Sequence, residues 1–268
     1  MRGNGLDVDG FIKREGSLSK VADVFAPVVR AARAQISEAF GRARLHSAYL
    51  YGSIPRGTAI PGRSDLDLLL ALRHAPRPAD RAAADAIEGT LGDSFEQISG
   101  AGVLLYSTAT LLSDLERHDL GWFVACLCTL LLGDDLAEQL PRYRPTSLLA
   151  RETNGDLAQA LSIWHEQAAR ARTPAERAAL SRRAARKLVR TGFTLVMPAW
   201  GGWTSDLDES AQAFACYYPQ RAAQMQAAAG TASAPTADPA VLHILLSDLG
   251  PWLATEYTAV HGTKTPRT

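Results

Sequence analysis

Residues 49–70 read Tyr-Leu-Tyr-Gly-Ser-Ile-Pro-Arg-Gly-Thr-Ala-Ile-Pro-Gly-Arg-Ser-Asp-Leu-Asp-Leu-Leu-Leu, and this stretch decides the expected fold. Its apolar start predicts a strand that ends at Gly52-Ser53, and the apolar run around the two aspartates predicts a second strand. Successive side chains of a strand point to opposite faces, so Asp65 and Asp67 share one face and the leucines between them share the other. An unpaired carboxylate is costly to bury, so the alternation indicates that the two aspartates serve a site.

Two carboxylates on one strand face suit Mg²⁺, which prefers oxygen ligands and is often shared with substrate phosphates. Gly52-Ser53 stands where a strand ends and a helix begins, and such a turn can offer backbone N–H groups to a phosphate. The alternative interpretation is a turn that is merely rich in glycine and aspartate. It explains Gly52 and Gly57, but it does not explain two aspartates that alternate within an apolar run.

The order of a Gly-Ser pair, an Arg-Gly turn and two alternating aspartates resembles the signature of the polymerase-β-like nucleotidyltransferase superfamily. The resemblance implies that Gly52 and Ser53 hold a nucleoside triphosphate, with Ser53 on a β- or γ-phosphate oxygen. It also implies that Asp65 and Asp67 hold two Mg²⁺ ions. The reaction would be attack of an acceptor oxygen on the α-phosphorus, with pyrophosphate leaving.

Two further residues of the motif are candidates for nucleotide binding. Arg56 would lie near the phosphates, although a surface arginine is an equally good interpretation. Ser64 directly precedes the aspartates and would help to position them against the nucleotide, although a turn serine is the simpler interpretation.

The sequence departs from the superfamily where a third carboxylate is expected on the next central strand. That strand is predicted near residues 99–106, which contain no acid. Glu96 is the catalytic candidate if the strand begins at Phe95 and bends at the glycines of residues 100–102. Without it, an acceptor that is already anionic would need no base, whereas a neutral hydroxyl would need one from elsewhere.

Composition and charge narrow the class of protein. The chain has 268 residues, of which 47% are hydrophobic and 21% charged, as in ordinary globular proteins. Its 28 basic and 28 acidic residues cancel, which disfavours a nucleic-acid partner because such proteins usually carry a basic bias.

Cys126 and Cys128 lie in an apolar run that predicts core packing. Three cysteines without scaffold spacing, no visible secretory signal and no apolar run long enough for a bilayer predict a cytoplasmic protein without a membrane partner.

The chain changes character near residue 140, from alternating helices and strands to helical patterns alone. The predicted strands are near residues 48–51, 66–72 and 103–106, with helices at 17–40, 79–91 and 119–132. Later helices are predicted at 147–172, 174–197, 205–217, 219–229 and 241–261. We therefore predict an α+β fold: a small mixed β-sheet nucleotidyltransferase domain with flanking helices in residues 1–140, and an all-helical bundle domain in residues 141–268.

This organisation is similar to the aminoglycoside-nucleotidyltransferase type, in which a small-molecule acceptor sits between the two domains. The turn Gly133-Asp134-Asp135-Leu136 also resembles a Gly-x-Asp-Leu turn that such proteins carry after the catalytic domain. In the helical domain, Lys187 and Arg190 share a helix face and are candidates for the triphosphate. Trp200 and Trp203 flank a Gly-Gly pair and are candidates for the acceptor site.

We therefore expect a Mg²⁺-dependent nucleotidyltransferase. It would move a nucleoside monophosphate, AMP from ATP first, to a small-molecule acceptor such as an aminoglycoside-like compound or a biosynthetic intermediate. One alternative is a toxin-type nucleotidyltransferase that acts on tRNA or protein. Another is a non-catalytic nucleotide-binding module, which the missing third carboxylate suggests.

Overall fold

The computed structural model describes residues 4–267 and divides into two compact units. Residues 13–143 form a unit with a four-stranded mixed sheet, and the rest of the described chain forms a helical unit. The predicted α+β class is thereby confirmed. The division falls between Tyr143 and Arg144, and residues 4–12 belong with the helical unit, whereas the sequence pattern places them in a domain of residues 1–140.

The sheet unit alternates helices and strands as far as its third strand. Its elements are α1 (Ala26–Arg44), β1 (Leu45–Tyr51), α2 (Ser53–Arg56), β2 (Leu66–Leu72), α3 (Pro78–Ser94), β3 (Ala101–Ser107), α4 (Thr108–Leu111) and β4 (Thr129–Gly133). The strand order is β3-β2-β1-β4. The central strand β1 is antiparallel to both neighbours, whereas β2 and β3 are parallel and need the crossover that α3 supplies.

Both faces of the sheet are covered, which explains why β2 is apolar on both sides. Leu66, Leu68 and Leu70 pack on the face that α1 and α3 cover. Leu69 and Tyr49 pack on the opposite face, against residues that follow β3. Asp67 begins this second face and is the one acidic residue within β2.

Residues 119–132 do not form the single apolar helix that we predicted. The chain makes wide helical turns over Arg117–Gly121 and Phe123–Leu127 and then forms β4 along β1. A short apolar run cannot be assigned by periodicity alone, and here the open edge of β1 decides in favour of a strand. Cys126 and Cys128 are buried in the core, as predicted, and burial raises the pKa of the Cys126 thiol to about 12.

The helical unit consists of α5 (Ser147–Asn154), α6 (Leu157–Arg170), α7 (Pro174–Trp200), α8 (Leu207–Tyr217), α9 (Ala222–Ser233), α10 (Pro239–His243) and α11 (Gly250–His261). The helix predicted over residues 147–172 is two helices with a break at Gly155. The long α7 starts at a capping box formed by Thr173 and Glu176. None of the helices in residues 4–267 has the length and apolar character that crossing a bilayer requires.

The Gly-x-Asp-Leu turn after β4 is held by a network around Asp135. Arg14 donates two hydrogen bonds to its carboxylate, at 2.6 and 3.2 Å, and the backbone N–H of Ala137 donates a third. The Tyr49 hydroxyl donates to the same carboxylate at 3.4 Å and accepts from the N–H of Leu136. The turn therefore ties the start of the sheet unit to its central strand.

Charge removal at Asp135 should destabilise the sheet unit. Burial acts to raise the pKa of Asp135, but the hydrogen bonds from Arg14, Ala137 and Tyr49 and the charge of Arg14 together outweigh it and leave the pKa below its ordinary value. We expect Asp135→Asn to lower the free energy of unfolding by about 1–3 kcal/mol at pH 7, because Arg14 loses a charged acceptor. Chemical denaturation would measure it, with the exposed neighbour variant Asp134→Asn as the control, which should stay within about 0.5 kcal/mol.

The stability difference between Asp135→Asn and the wild type should be smaller at acidic pH. A carboxylate with a lowered folded pKa stabilises the protein above its unfolded pKa, about 3.9, and this contribution is lost as the pH falls through the folded pKa. The stability difference between wild type and Asp135→Asn should therefore shrink below about pH 4. A difference that stays constant from pH 7 to pH 3 would contradict this role for the carboxylate.

Candidate functional site

The two halves of the sequence motif meet at one end of the sheet. Because β1 and β2 are antiparallel, Tyr51 at the end of β1 pairs with Asp67 at the start of β2. The start of β3 reaches the same end, where Gly102 pairs with Asp67. Gly52, Ser53, Asp65 and Asp67 are all half-buried there. The structure thus brings together the four residues on which the resemblance rests.

Gly52 is required by its backbone and by its neighbour. Its φ of 81° and ψ of −152° belong to a region that essentially only glycine occupies. A Cβ atom at this position would lie 2.4 Å from Oδ2 of Asp67. The carboxylate of Asp67 therefore lies directly against the backbone of Gly52, so the turn and the aspartate form one site.

Arg56 stabilises the Gly-Ser turn through a hydrogen bond to its backbone. Its Nε donates to the carbonyl oxygen of Gly52 at 2.9 Å, and its guanidinium lies 3.8 Å from the carboxylate of Glu15. The N–H of Thr58 closes the turn by donating to the carbonyl of Ser53 at 3.0 Å. These contacts give Arg56 a role in shaping the Gly-Ser turn, which sequence reasoning had not foreseen.

Asp65 is oriented by a serine that sequence reasoning missed. The hydroxyl of Ser99 lies 2.6 Å from Oδ1 of Asp65 and 3.0 Å from the carbonyl oxygen of Arg63. The N–H of Ser99 donates to the carbonyl of Ser64 at 3.1 Å, so the two segments are also joined through their backbones. Only the parallel pairing of β2 with β3 reveals this contact, because the two residues are far apart in sequence.

Ser64 belongs to the loop before the aspartates. Its hydroxyl accepts the N–H of Ile60 at 2.9 Å, and its own N–H donates to the carbonyl of the same residue at 3.0 Å. This is the geometry of a turn serine, the simpler of the two interpretations that the sequence allowed.

Glu96 does not meet the condition that its prediction required. The strand begins at Ala101 rather than at Phe95, and Glu96 is exposed on the turn that follows α3. The register of β3 places Gly102 beside Asp67 and Leu104 beside Leu69, so this strand brings no carboxylate to the site. Within residues 4–267, no three side chains of His, Cys, Asp or Glu lie together in a group that could hold a metal ion.

Lys187, a candidate from the helical unit, has a partner within that unit. Nζ of Lys187 lies 2.7 Å from Oδ1 of Asp156. Burial acts to raise the pKa of Asp156, but the charge and hydrogen bond of Lys187 and the charge of Lys264 together outweigh it and leave the pKa below its ordinary value. Arg190, one turn further along α7, is exposed.

The two tryptophans pack around a phenylalanine. The rings of Trp200 and Trp203 lie edge-on to Phe193, at centroid distances of 5.4 and 5.7 Å. Trp203 is buried, and its backbone N–H donates to the carbonyl of Asn4. Trp203 is therefore part of the core of the helical unit.

The donor set of the site fits one Mg²⁺ ion. Asp67 in β2 and Asp65, just before that strand, supply two carboxylates, and Mg²⁺ is commonly bound by one or two carboxylates together with phosphate oxygens and water. The hydroxyl of Ser99 holds the first carboxylate in place, as outer-shell groups do around metal ligands.

No protein-family model matches this chain, and no curated protein matches it. The resemblance in residues 49–70 therefore stands on the residues themselves and on their geometry.

Replacing Gly52 by alanine should disrupt the site. The backbone strain alone costs about 1–3 kcal/mol, and the new methyl group would displace the carboxylate of Asp67. Thermal unfolding should show a lower Tm for Gly52→Ala. The control is Gly89→Ala, since a Cβ at Gly89 in the middle of α3 meets nothing within 4 Å; it should leave the Tm unchanged or raise it. Equal Tm values for the two variants would contradict the close approach of Gly52 and Asp67.

Replacing Ser99 by alanine tests whether this residue positions Asp65. We expect Ser99→Ala to weaken Mg²⁺-dependent nucleotide binding about tenfold without changing the Tm, because Asp65 loses its orienting hydrogen bond. Ser94→Ala, at the exposed end of α3, is the matched control and should bind as the wild type does. Titration calorimetry with and without Mg²⁺ would measure both, and loss of Mg²⁺-independent binding instead would assign Ser99 to the nucleotide rather than to Asp65.

Proposed function

We propose that the protein is a nucleotidyltransferase that moves a nucleoside monophosphate, AMP from ATP first, to a small-molecule acceptor. The observation that carries the proposal is the contact of the Asp67 carboxylate with the glycine-only backbone at Gly52, beside Asp65. A turn that can hold phosphates lies within a few ångströms of the Asp67 carboxylate, and Asp65 stands two residues before Asp67 at the same end of the sheet. The two carboxylates without a cation would repel a triphosphate, and the turn alone would leave the phosphate charge without a cation to balance it.

Each part of the site has a distinct task in this reaction. Ser53 begins α2, and the first N–H groups of a helix have no partner within it, so they are available to phosphate oxygens. Asp65 and Asp67 would hold Mg²⁺, which when bound neutralises the phosphates and polarises the reacting phosphoryl group. Arg56 and Ser99 act indirectly, since Arg56 fixes the carbonyl of Gly52 and Ser99 fixes the carboxylate of Asp65.

The register of β3 bears on the acceptor. Gly102 and Leu104 occupy the positions from which this strand would reach the metal site, so the sheet offers no third carboxylate as general base. An acceptor that attacks as an anion, such as a carboxylate or a phosphate, needs no such base. This favours an anionic small molecule over a neutral alcohol.

The same register favours a second candidate function, a nucleotide-binding module without catalysis. Two carboxylates suffice to hold a nucleotide with its cation, and binding makes no demand for a base. The two functions differ in turnover, so one set of variants can separate them.

Conversion of either aspartate to asparagine should abolish the Mg²⁺ dependence. We expect Asp65→Asn and Asp67→Asn to lower affinity for ATP with Mg²⁺ at least about tenfold, and to lower pyrophosphate release in the presence of an acceptor panel at least about a hundredfold. Without Mg²⁺ the variants should bind ATP more tightly than the wild type does, because removing a negative charge relieves repulsion of the triphosphate. Asp93→Asn, an exposed carboxylate near the end of α3, is the matched control.

The outcomes separate the alternatives. Mg²⁺-dependent binding without turnover on any acceptor would support the binding module. Transfer of label from ATP to tRNA or protein would support the toxin-type activity, and transfer to a small molecule would support the proposal. If both aspartate variants retain wild-type affinity and transfer, the site lies elsewhere.

A further inference from the structure

A second, oppositely charged site lies at the other end of the same sheet. A cavity of about 830 Å³ opens where β1 starts and where β2 and β4 end. That volume lies within the range of small-molecule sites, roughly 300–1,000 Å³. β1 is seven residues long, so the cavity at its start lies about 20 Å from the Gly52 turn at its end.

The charges that line the cavity are mainly positive. Arg33 comes from α1, Arg42 from the last turn of that helix and Arg73 from the residue after β2, and Asp134 is the one acidic residue among the lining residues. Within residues 4–267, none of the three guanidinium groups lies within 4.0 Å of a carboxylate. Other arginines of the unit do have such partners, as Arg14 has Asp135 and Arg81 has Asp85. Three unneutralised guanidinium groups on three segments form a local positive field in a chain of zero net charge.

The side chain of Arg73, although exposed, makes one hydrogen bond to the end of α1. Its Nε donates to the carbonyl of Arg42 at 3.0 Å, and its backbone N–H donates to the carbonyl of Arg44 at 3.0 Å. The terminal nitrogens of the guanidinium remain for a ligand, and a planar guanidinium fork matches two oxygens of a phosphate or carboxylate. An arginine that already makes one hydrogen bond loses less conformational freedom on binding than one that makes none.

Two of the residues that line the cavity are glycines with positive φ. Gly41 interrupts the helical geometry of α1 with φ 59° and ψ 171°, and nothing lies within 4 Å of where its Cβ would be. At Gly133 a Cβ would lie 2.0 Å from the carbonyl oxygen of His46, so the end of β4 can pass this close only as glycine. A ligand can therefore approach the backbone at Gly41 as well as the arginines.

We propose that this cavity binds a small molecule carrying two or more linked phosphate groups. Three guanidinium groups balance the charge of such a chain better than that of a single anion, and the volume exceeds what one phosphate fills. The inference does not rest on the proposed transferase activity, because it uses neither the Gly-Ser turn nor the aspartates. It would give the sheet unit a binding site that is separate from the Asp65–Asp67 end.

Inorganic tripolyphosphate tests the proposal on the full chain in EDTA, where the aspartate end repels polyanions. Titration calorimetry should show saturable binding that weakens at least tenfold in the double variant Arg33→Gln, Arg42→Gln. Arg30→Gln, an exposed arginine one turn before Arg33 on the same helix, is the matched control and should stay within twofold of the wild type.

Two further arms sharpen the ligand class. Arg73→Lys keeps the charge but loses the fork, and should weaken tripolyphosphate binding severalfold. ATP that binds more tightly than tripolyphosphate in EDTA would identify a nucleotide, and equal affinity would identify the phosphate chain alone. The proposal fails if the wild type shows no saturable binding at millimolar tripolyphosphate, if Arg30→Gln is as weak as the double variant, or if citrate binds equally well. Circular dichroism and Tm values must match the wild type for each variant compared.

Discussion

The approach of the Asp67 carboxylate to the backbone of Gly52 is the contact on which the candidate site depends. It exists because β1 and β2 are antiparallel neighbours with Tyr51 opposite Asp67. A shift of one residue in this register would turn every side chain of β2 to the other face, so Asp67 would enter the core and a leucine would face the turn. The leucines of β2, buried on one face against α1 and α3, therefore hold the aspartates in position as well as stabilising the sheet.

The elements around this contact were the most predictable part of the chain. The structure places β2 at Leu66–Leu72, where alternation and the flanking turn predicted it. The prediction succeeded because local pattern and tertiary environment agree there. At β4 they do not agree, since residues 129–133 carry no alternation and become a strand only because β1 offers an open edge. A single sequence contains the residues of such a strand but not the partner that decides its conformation.

Site residues divide in the same way. The Gly-Ser turn and the aspartates are local, and the sequence shows them directly. Ser99 reaches Asp65 only through the pairing of β3 with β2, so no spacing rule identifies it. Arg56 and Lys187 show a second limit: a basic residue near a motif or on a basic helix face predicts a phosphate ligand, but the sequence does not show that these side chains also contact Gly52 and Asp156. Which charges have internal partners is a tertiary property, and composition cannot reveal it.

The zero net charge of the chain conceals an uneven distribution along one strand. The two aspartates stand at the start of β2, and Arg73, tied to the segment that carries Arg42, follows its end. Because ions at a protein surface are screened over about 8 Å at physiological salt, ends that lie about 20 Å apart act independently on a charged ligand. A net charge of zero therefore argues against a uniformly basic surface, but it does not argue against a basic cavity that is confined to one region. For this sheet unit, the separation of charge along β2 predicts the ligands better than the sum does.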